Sequence, residues 1–199
     1  MPVPLPPIRR IVTGHDAQGR SCFVSDALMR APHHPGGNAA HAIHDLWKST
    51  GTPASNSDAA MAAALAGPFR LAPPEAGTVV RVIDLPPDSQ RDFSRLGQVF
   101  SAYGASDALP EAPRRHPAFH RTRSLDYALV LDGEVWALMD EGETLMRAGD
   151  MLVQRGTSHA WSNRSDRHCR LLFVLIDAQP IAGQDAGHAS GTISAGAGA

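Results

Sequence analysis

The 199-residue sequence holds only two cysteines, Cys22 and Cys169, which lie far apart and belong to no CxxC pair. A disulfide framework or a cysteine-rich zinc site is therefore not what organises it. The longest run of small apolar residues, Ala59 to Ala66, falls well short of the roughly 20 residues that cross a bilayer as a helix. Charge of one sign is not in excess either: eighteen basic and twenty acidic side chains leave a formal net charge of −2. No strongly basic surface for neutralising phosphates follows, so nucleic acid and membrane are not expected partners. Met1 to Arg10 carries four prolines and two arginines but not the apolar stretch of a secretory signal, and reduced thiols in the cytoplasm are the expectation. Spacings for a nucleophile elbow, a P-loop or a dinucleotide-binding turn are missing, which removes support for those chemistries.

What is present is an ordinary globular composition, 43% hydrophobic and 19% charged, in a chain of the length of one domain. Eighteen glycines and sixteen prolines favour turns and disfavour a helical bundle. Ile11-Val12 and Cys22-Phe23-Val24, separated by turn residues, read as an N-terminal hairpin. Residues 29–74 are rich in Ala, Pro, Gly, Asn, Ser and His and read as a long irregular arm, with helical turns expected only near Ala39 to Trp47 and Asp58 to Leu65. Thr78 to Leu85 is β-branched and bounded by Gly77 and Pro86-Pro87, a strand signature. An irregular stretch from Asp88 to Pro117 precedes a train of short strands: Asp126 to Leu131, Glu134 to Met139, Thr144 to Met146, Met151 to Gln154, His159 to Asn163 and Arg170 to Asp177. Strands so short and so regularly punctuated predict an all-β sandwich or barrel. The expected organisation is a hairpin and arm over 1–77, a barrel over 78–178 and a flexible tail over 179–199, whose Ala/Gly/Ser composition buries little.

Two segments carry a resemblance. Leu129-Val130-Leu131-Asp132-Gly133-Glu134-Val135, and Gly149-Asp150-Met151-Leu152-Val153 followed by His159 and Asn163, are similar to the two motifs of the cupin superfamily over about sixty residues. The resemblance implies a double-stranded β-helix, the jelly-roll barrel. Aligned on the Asp132-Gly133 turn, His120 stands at the family's first histidine, Thr122 at the second, and Asp126 at its glutamate. Arg155-Gly156 replaces a longer P-x-G, while His159 and Asn163 are kept. HRTRSLDY and QRGTSHAWSN resemble small bacterial cupins and fungal polyketide-pathway cupins, in which decarboxylation or dehydration of aromatic precursors is the implied chemistry.

Strand alternation provides a reading from the residues themselves. His120, Thr122, Ser124 and Asp126 share a face if the segment is extended, with Tyr127 on the other, and His159, Trp161 and Asn163 repeat the pattern in a second strand. Two imidazoles and one carboxylate, His120, Asp126 and His159, form a set that suits Fe, Mn, Ni or Zn and leaves coordination positions open. The bland alternative is a polar barrel mouth without a metal, and Thr122 in place of an imidazole weighs toward it. Arg155 is the candidate anchor for an anionic substrate or for Asp126. Thr122, Ser124, Trp161 and His116 are candidate pocket residues. His41-x-x-His44 and His33-His34 read as solvated loop histidines, Arg121 and Arg123 as surface charges, Phe119 and Trp136 as packing, and Asn163 as a turn-fixing side chain.

The leading expectation is a small-molecule enzyme of lyase type, removing carbon dioxide or water from a carboxylated or polyketide-like substrate, with His120 or His159 moving a proton. An Fe(II)-dependent dioxygenase and a non-catalytic binding barrel are the alternatives. A homodimer is expected, with the hairpin covering an otherwise open sheet edge.

Overall fold

The computed structural model describes residues 5–29, 32–64 and 66–181. In chain order its regular elements are β1 (Arg9–His15), β2 (Ser21–Leu28), β3 (Ala42–Ser49), α1 (Asp58–Ala63), β4 (Thr78–Leu85), α2 (Leu96–Ala102), β5 (Ser124–Asp132), β6 (Glu134–Met139), β7 (Glu143–Arg147), β8 (Met151–Arg155), β9 (His159–Ser162) and β10 (Cys169–Asp177). β1 and β2 pair with each other, five strands form a sheet in the order β3-β4-β10-β5-β8, and three form a second sheet in the order β7-β6-β9. Every pairing in the two larger sheets is antiparallel. The result is the antiparallel barrel that the strand spacing predicts, in the jelly-roll form that the resemblance implies, and most of the tail lies outside the described residues.

Alternation sets which side chains enter the barrel. Along β5, Ser124, Asp126, Ala128 and Val130 are buried while Tyr127 and Leu131 are exposed. β10 alternates likewise, burying Cys169, Leu171, Phe173 and Leu175. These meet Val135, Ala137, Met146 and Trp161 of the smaller sheet in one continuous apolar core. The β5–β6 turn depends on Gly133: its φ is +80°, and a Cβ there would stand 2.7 Å from the His168 carbonyl oxygen. Asn163 ties the ends of the sandwich together, donating to the Leu85 carbonyl at 3.0 Å and the Arg167 carbonyl at 2.8 Å, while its oxygen accepts from Ser165.

The arm departs from expectation. Ala39 to Trp47 is not helical; Ala42–Ser49 is β3, an edge strand paired to β4, so the larger sheet begins ahead of Thr78. The β3–β4 register shifts between Asp45 and Trp47. Leu46 is the extra residue at that shift, and with it Ile43, Leu46 and Trp47 fall at the i, i+3, i+4 spacing of a helix in sequence. The 88–117 stretch is not wholly irregular either: α2 places Leu96, Val99 and Phe100 over the open end of the barrel, where Tyr103 just beyond its end joins them. The hairpin turn is closed by Asp16, whose carboxylate accepts from the Gln18 and Arg20 amides. Phe23, 76% exposed, and Leu28 lie uncovered on β2. No helix among the described residues is long and apolar enough to cross a membrane.

Candidate active site

His120 and His159 face each other across a short antiparallel bridge. The His120 amide donates to the His159 carbonyl at 2.9 Å, and the His159 amide returns the bond at 3.0 Å. Directly opposed residues in such a pair project to the same face, and the ring centroids stand 4.4 Å apart. Each imidazole is also held by the chain two residues before it: His120 Nδ1 bonds the Ala118 carbonyl and His159 Nδ1 the Thr157 carbonyl, both at 2.9 Å. A carbonyl oxygen can only accept, so each Nδ1 carries the hydrogen and each Nε2 keeps its lone pair. Burial holds both rings neutral, with His159 brought down to about 3 by desolvation and then by its neighbour His120.

Asp126 enters the same cavity from β5. Burial raises its carboxyl to about 6, against the lowering influence of the Ser124 hydroxyl and the Arg81 charge, and Oδ1 has no hydrogen-bond partner among the described residues. Thr122 and Ser124 are buried and bond each other through their hydroxyls at 2.8 Å.

The cavity around these groups is largely apolar. Phe93, Leu96, Val99 and Phe100 close it from above, and Trp161, Leu171 and Phe173 wall it from the barrel. Phe100 stands edge-on to His120, with centroids 5.3 Å apart, and Trp161 edge-on to His159 at 5.9 Å. Arg91 and His41 line the same space, and no motif or strand pattern in the sequence points to Arg91. The apolar spacing Leu96, Val99, Phe100, Tyr103 is the i, i+3, i+4, i+7 stripe of an amphipathic helix, and it was there to be read.

Of the sequence-derived candidates, His120, His159, Asp126, Thr122 and Trp161 come together in the cavity. Arg155 does not. β8 pairs with β5 so that Gln154 lies opposite Asp126 and is buried, which turns Arg155 outward to an exposed position. There it lines a separate cleft with Arg121, Arg123 and Ser124, so neither Arg155 as an anion anchor nor Ser124 as part of the cavity lining is retained. His116 is corrected as well: its Nδ1 accepts from the Ala118 amide and its Nε2 reaches Asp88 at 3.3 Å, outside the cavity lining. His41, read as a solvated loop residue, instead lines the cavity, and burial brings it down to about 3.

Comparison with known proteins places the chain. No protein-family model matches the sequence. A cupin-domain-containing oxidoreductase of Aspergillus ruber is 31% identical over 180 residues, covering 86% of this chain and 73% of that protein. The chain belongs to the cupin family. A second cupin-domain-containing oxidoreductase, from Hypocrea virens, is 30% identical over 189 residues, 89% of this cupin and 81% of its relative. A phomopsin biosynthesis cluster protein of Diaporthe leptostromiformis is 32% identical over 178 residues, with 86% and 79% covered.

A cupin barrel implies a metal, and the donors can be judged against that. The two Nε2 lone pairs suit one, but the Thr122 oxygen at the remaining histidine position is engaged with Ser124. Among the described residues, no three His, Cys, Asp or Glu side chains gather closely enough to hold an ion. Asp126 shares the cavity without completing a set with the two imidazoles, so as arranged these residues do not fit a three-ligand centre.

Proposed function

We propose that this cupin is a small-molecule enzyme of lyase type whose reaction is driven by proton transfer from and to its imidazole pair. The observation that carries this reading is the pair itself: two neutral rings, each with Nδ1–H pinned to a backbone carbonyl, direct their basic nitrogens at an apolar cavity. A base needs a lone pair within hydrogen-bond reach of the proton it removes, and a closed apolar site keeps water from competing for that lone pair. In an elimination of water, one Nε2 takes the proton from carbon, the electron pair of that C–H bond forms the new double bond, and the hydroxyl leaves with a proton from Asp126. In a decarboxylation, the carbon–carbon bond pair left behind by carbon dioxide is protonated on carbon by the Asp126 carboxyl, which regains its proton from solvent. Phe93, Phe100 and Trp161 suit an aromatic or polyketide-like body.

The names of the Aspergillus and Hypocrea relatives favour a second reading, an oxidoreductase. One experiment separates the two. Purified protein is incubated with hydroxylated and carboxylated aromatic compounds, and products are read by mass spectrometry for wild type and for His120→Ala/His159→Ala. Loss of water or carbon dioxide, abolished in the double variant, supports the lyase. Loss of two hydrogens or gain of oxygen supports the oxidoreductase, and full turnover by the double variant removes the imidazole pair from either.

A further inference from the structure

Three guanidinium groups line the cavity, and they are not equivalent. Arg81 is fully engaged: Nε donates to Asp45 at 2.7 Å, Nη1 to the Leu71 carbonyl at 3.1 Å and Nη2 to the Arg70 carbonyl at 2.7 Å. Arg95 is exposed and tied to the Gly36 carbonyl at the rim. Arg91 is buried, its side chain 11% exposed, yet only Nη1 is used, donating to Asp88 at 2.9 Å and to the Trp161 carbonyl at 3.1 Å. Its Nε and Nη2 bond nothing among the described residues. The guanidinium lies over the Phe93 ring, 4.7 Å from its centroid, which fixes the plane of the fork.

The single carboxylate that partners Arg91 is itself drawn off. Asp88 Oδ2 accepts from Ser162 at 2.5 Å and from His116 at 3.3 Å, so the acid is held from the side away from the free edge of the arginine. Asp92, also in the lining, is turned to the Ser94 amide and hydroxyl. The remaining titratable groups about the cavity are His41, His120, His159, Asp126 and Tyr103; burial disfavours charge on the imidazoles and raises the Tyr103 phenol, whose oxygen is bonded to His33 at 2.8 Å. Arg91 lines the cavity together with His41 and His120, near enough for its charge to add to the lowering of both.

We propose that Arg91 is the recognition site for a carboxylate on an otherwise apolar, aromatic substrate, received bidentately by Nε and Nη2 while the ring system extends toward His120 and His159. A planar fork with two parallel free N–H groups matches carboxylate geometry, and bonds of this charge-assisted type are among the strong ones. Phe93, Leu96, Val99 and Phe100 belong to the segment that carries Arg91, so headgroup and body would be gripped by one stretch of chain. The inference deepens the lyase reading and rests on it for the direction of the ring system, but binding at Arg91 is measurable without turnover.

The test uses 2-naphthoate and its uncharged counterpart 2-naphthamide as probes, with dissociation constants measured by calorimetry. Wild type is expected to bind naphthoate about tenfold or more tighter than naphthamide, the order expected of a charged hydrogen bond. Arg91→Met should erase the preference, Arg91→Lys should keep part of it, and Arg155→Met should leave it unchanged. His120→Ala/His159→Ala should retain it, so failure of the lyase reading would show as lost relevance of these histidines to turnover with naphthoate preference intact. Wild type that binds neither probe, or binds both equally, overturns the proposal even if Arg91→Met does not fold. So does a preference that survives in folded Arg91→Met.

Discussion

Arginines line both the barrel cavity and the cleft on the outside of β8, and the two sets have opposite surroundings. In the cleft, Arg123 and Arg155 are exposed, with water to share their charge. In the cavity, Arg91 is buried against Phe93 and Trp161, and desolvation lowers its affinity for its proton against the counteracting pull of Asp88. Position in sequence points the wrong way: Arg155 stands four residues from His159, while Arg91 is remote from every motif residue. What decides is the side of the sheet. One step along β8 exchanges buried Gln154 for exposed Arg155, whereas the loop before α2 drops Arg91 into the open end of the barrel.

The contrast can be broken most sharply at the imidazole pair. Replacing either His120 or His159 by Ala should lower turnover by about 100-fold or more, the scale of general acid–base assistance, while Arg155→Ala leaves it within about twofold. Steady-state kinetics on the substrate found by the product screen reads both. Equal losses at the two places would erase the distinction between inside and outside.

Stability sharpens the same comparison. Removing the Asn163 amide strands the Leu85 carbonyl inside the fold, while the Arg167 carbonyl keeps the Ser165 hydroxyl, so Asn163→Leu should cost about 1–3 kcal/mol in denaturant unfolding. Asp126, raised to about 6, binds its proton in the folded state at pH values where the unfolded chain, near 3.9, has released it. Its contribution is therefore greatest below about pH 4 and falls as pH rises through 6, by about 3 kcal/mol in all. Asp126→Asn should remove that fall, read as the difference between variant and wild type at pH 4 and pH 8. His159 runs the other way. Lowered to about 3 from an unfolded value near 6.5, it stabilises the fold fully above 6.5 and loses that contribution as pH drops toward 3. Between pH 7 and pH 5 the loss is about 2 kcal/mol, and His159→Gln should abolish it. Arg155→Ala, on the outer surface, should shift stability by no more than about 0.5 kcal/mol at any pH.

Much of the barrel was legible because its strands keep a strict period of two and are cut by Gly and Asp turns; β4 and β6 have the boundaries that their β-branched and apolar runs predict. β3 was not, because a register shift beside Leu46 spaces its apolar residues as a helix would. In the site, His120, Asp126 and His159 were readable from alternation and from the family resemblance. Arg91 and His41 were not, since neither shares a strand or a motif with them and only the closing of the 91–103 segment over the barrel brings them in. Arg155 misled because a glycine turn does not reveal which face its neighbour takes.

The central claim is that the imidazole pair stands neutral with both Nε2 atoms free to act as bases. Nitrogen-15 NMR of the histidine rings, recorded from pH 7 down to pH 5, tests it most directly. The structure predicts two rings with hydrogen on Nδ1 and lone pairs on Nε2 at pH 7, no titration of His159 down to pH 5 and a His120 that titrates below its ordinary value, signals that vanish in His120→Ala and His159→Ala. A proton on Nε2 of either ring at pH 7, or protonation of His159 at pH 6, would contradict it.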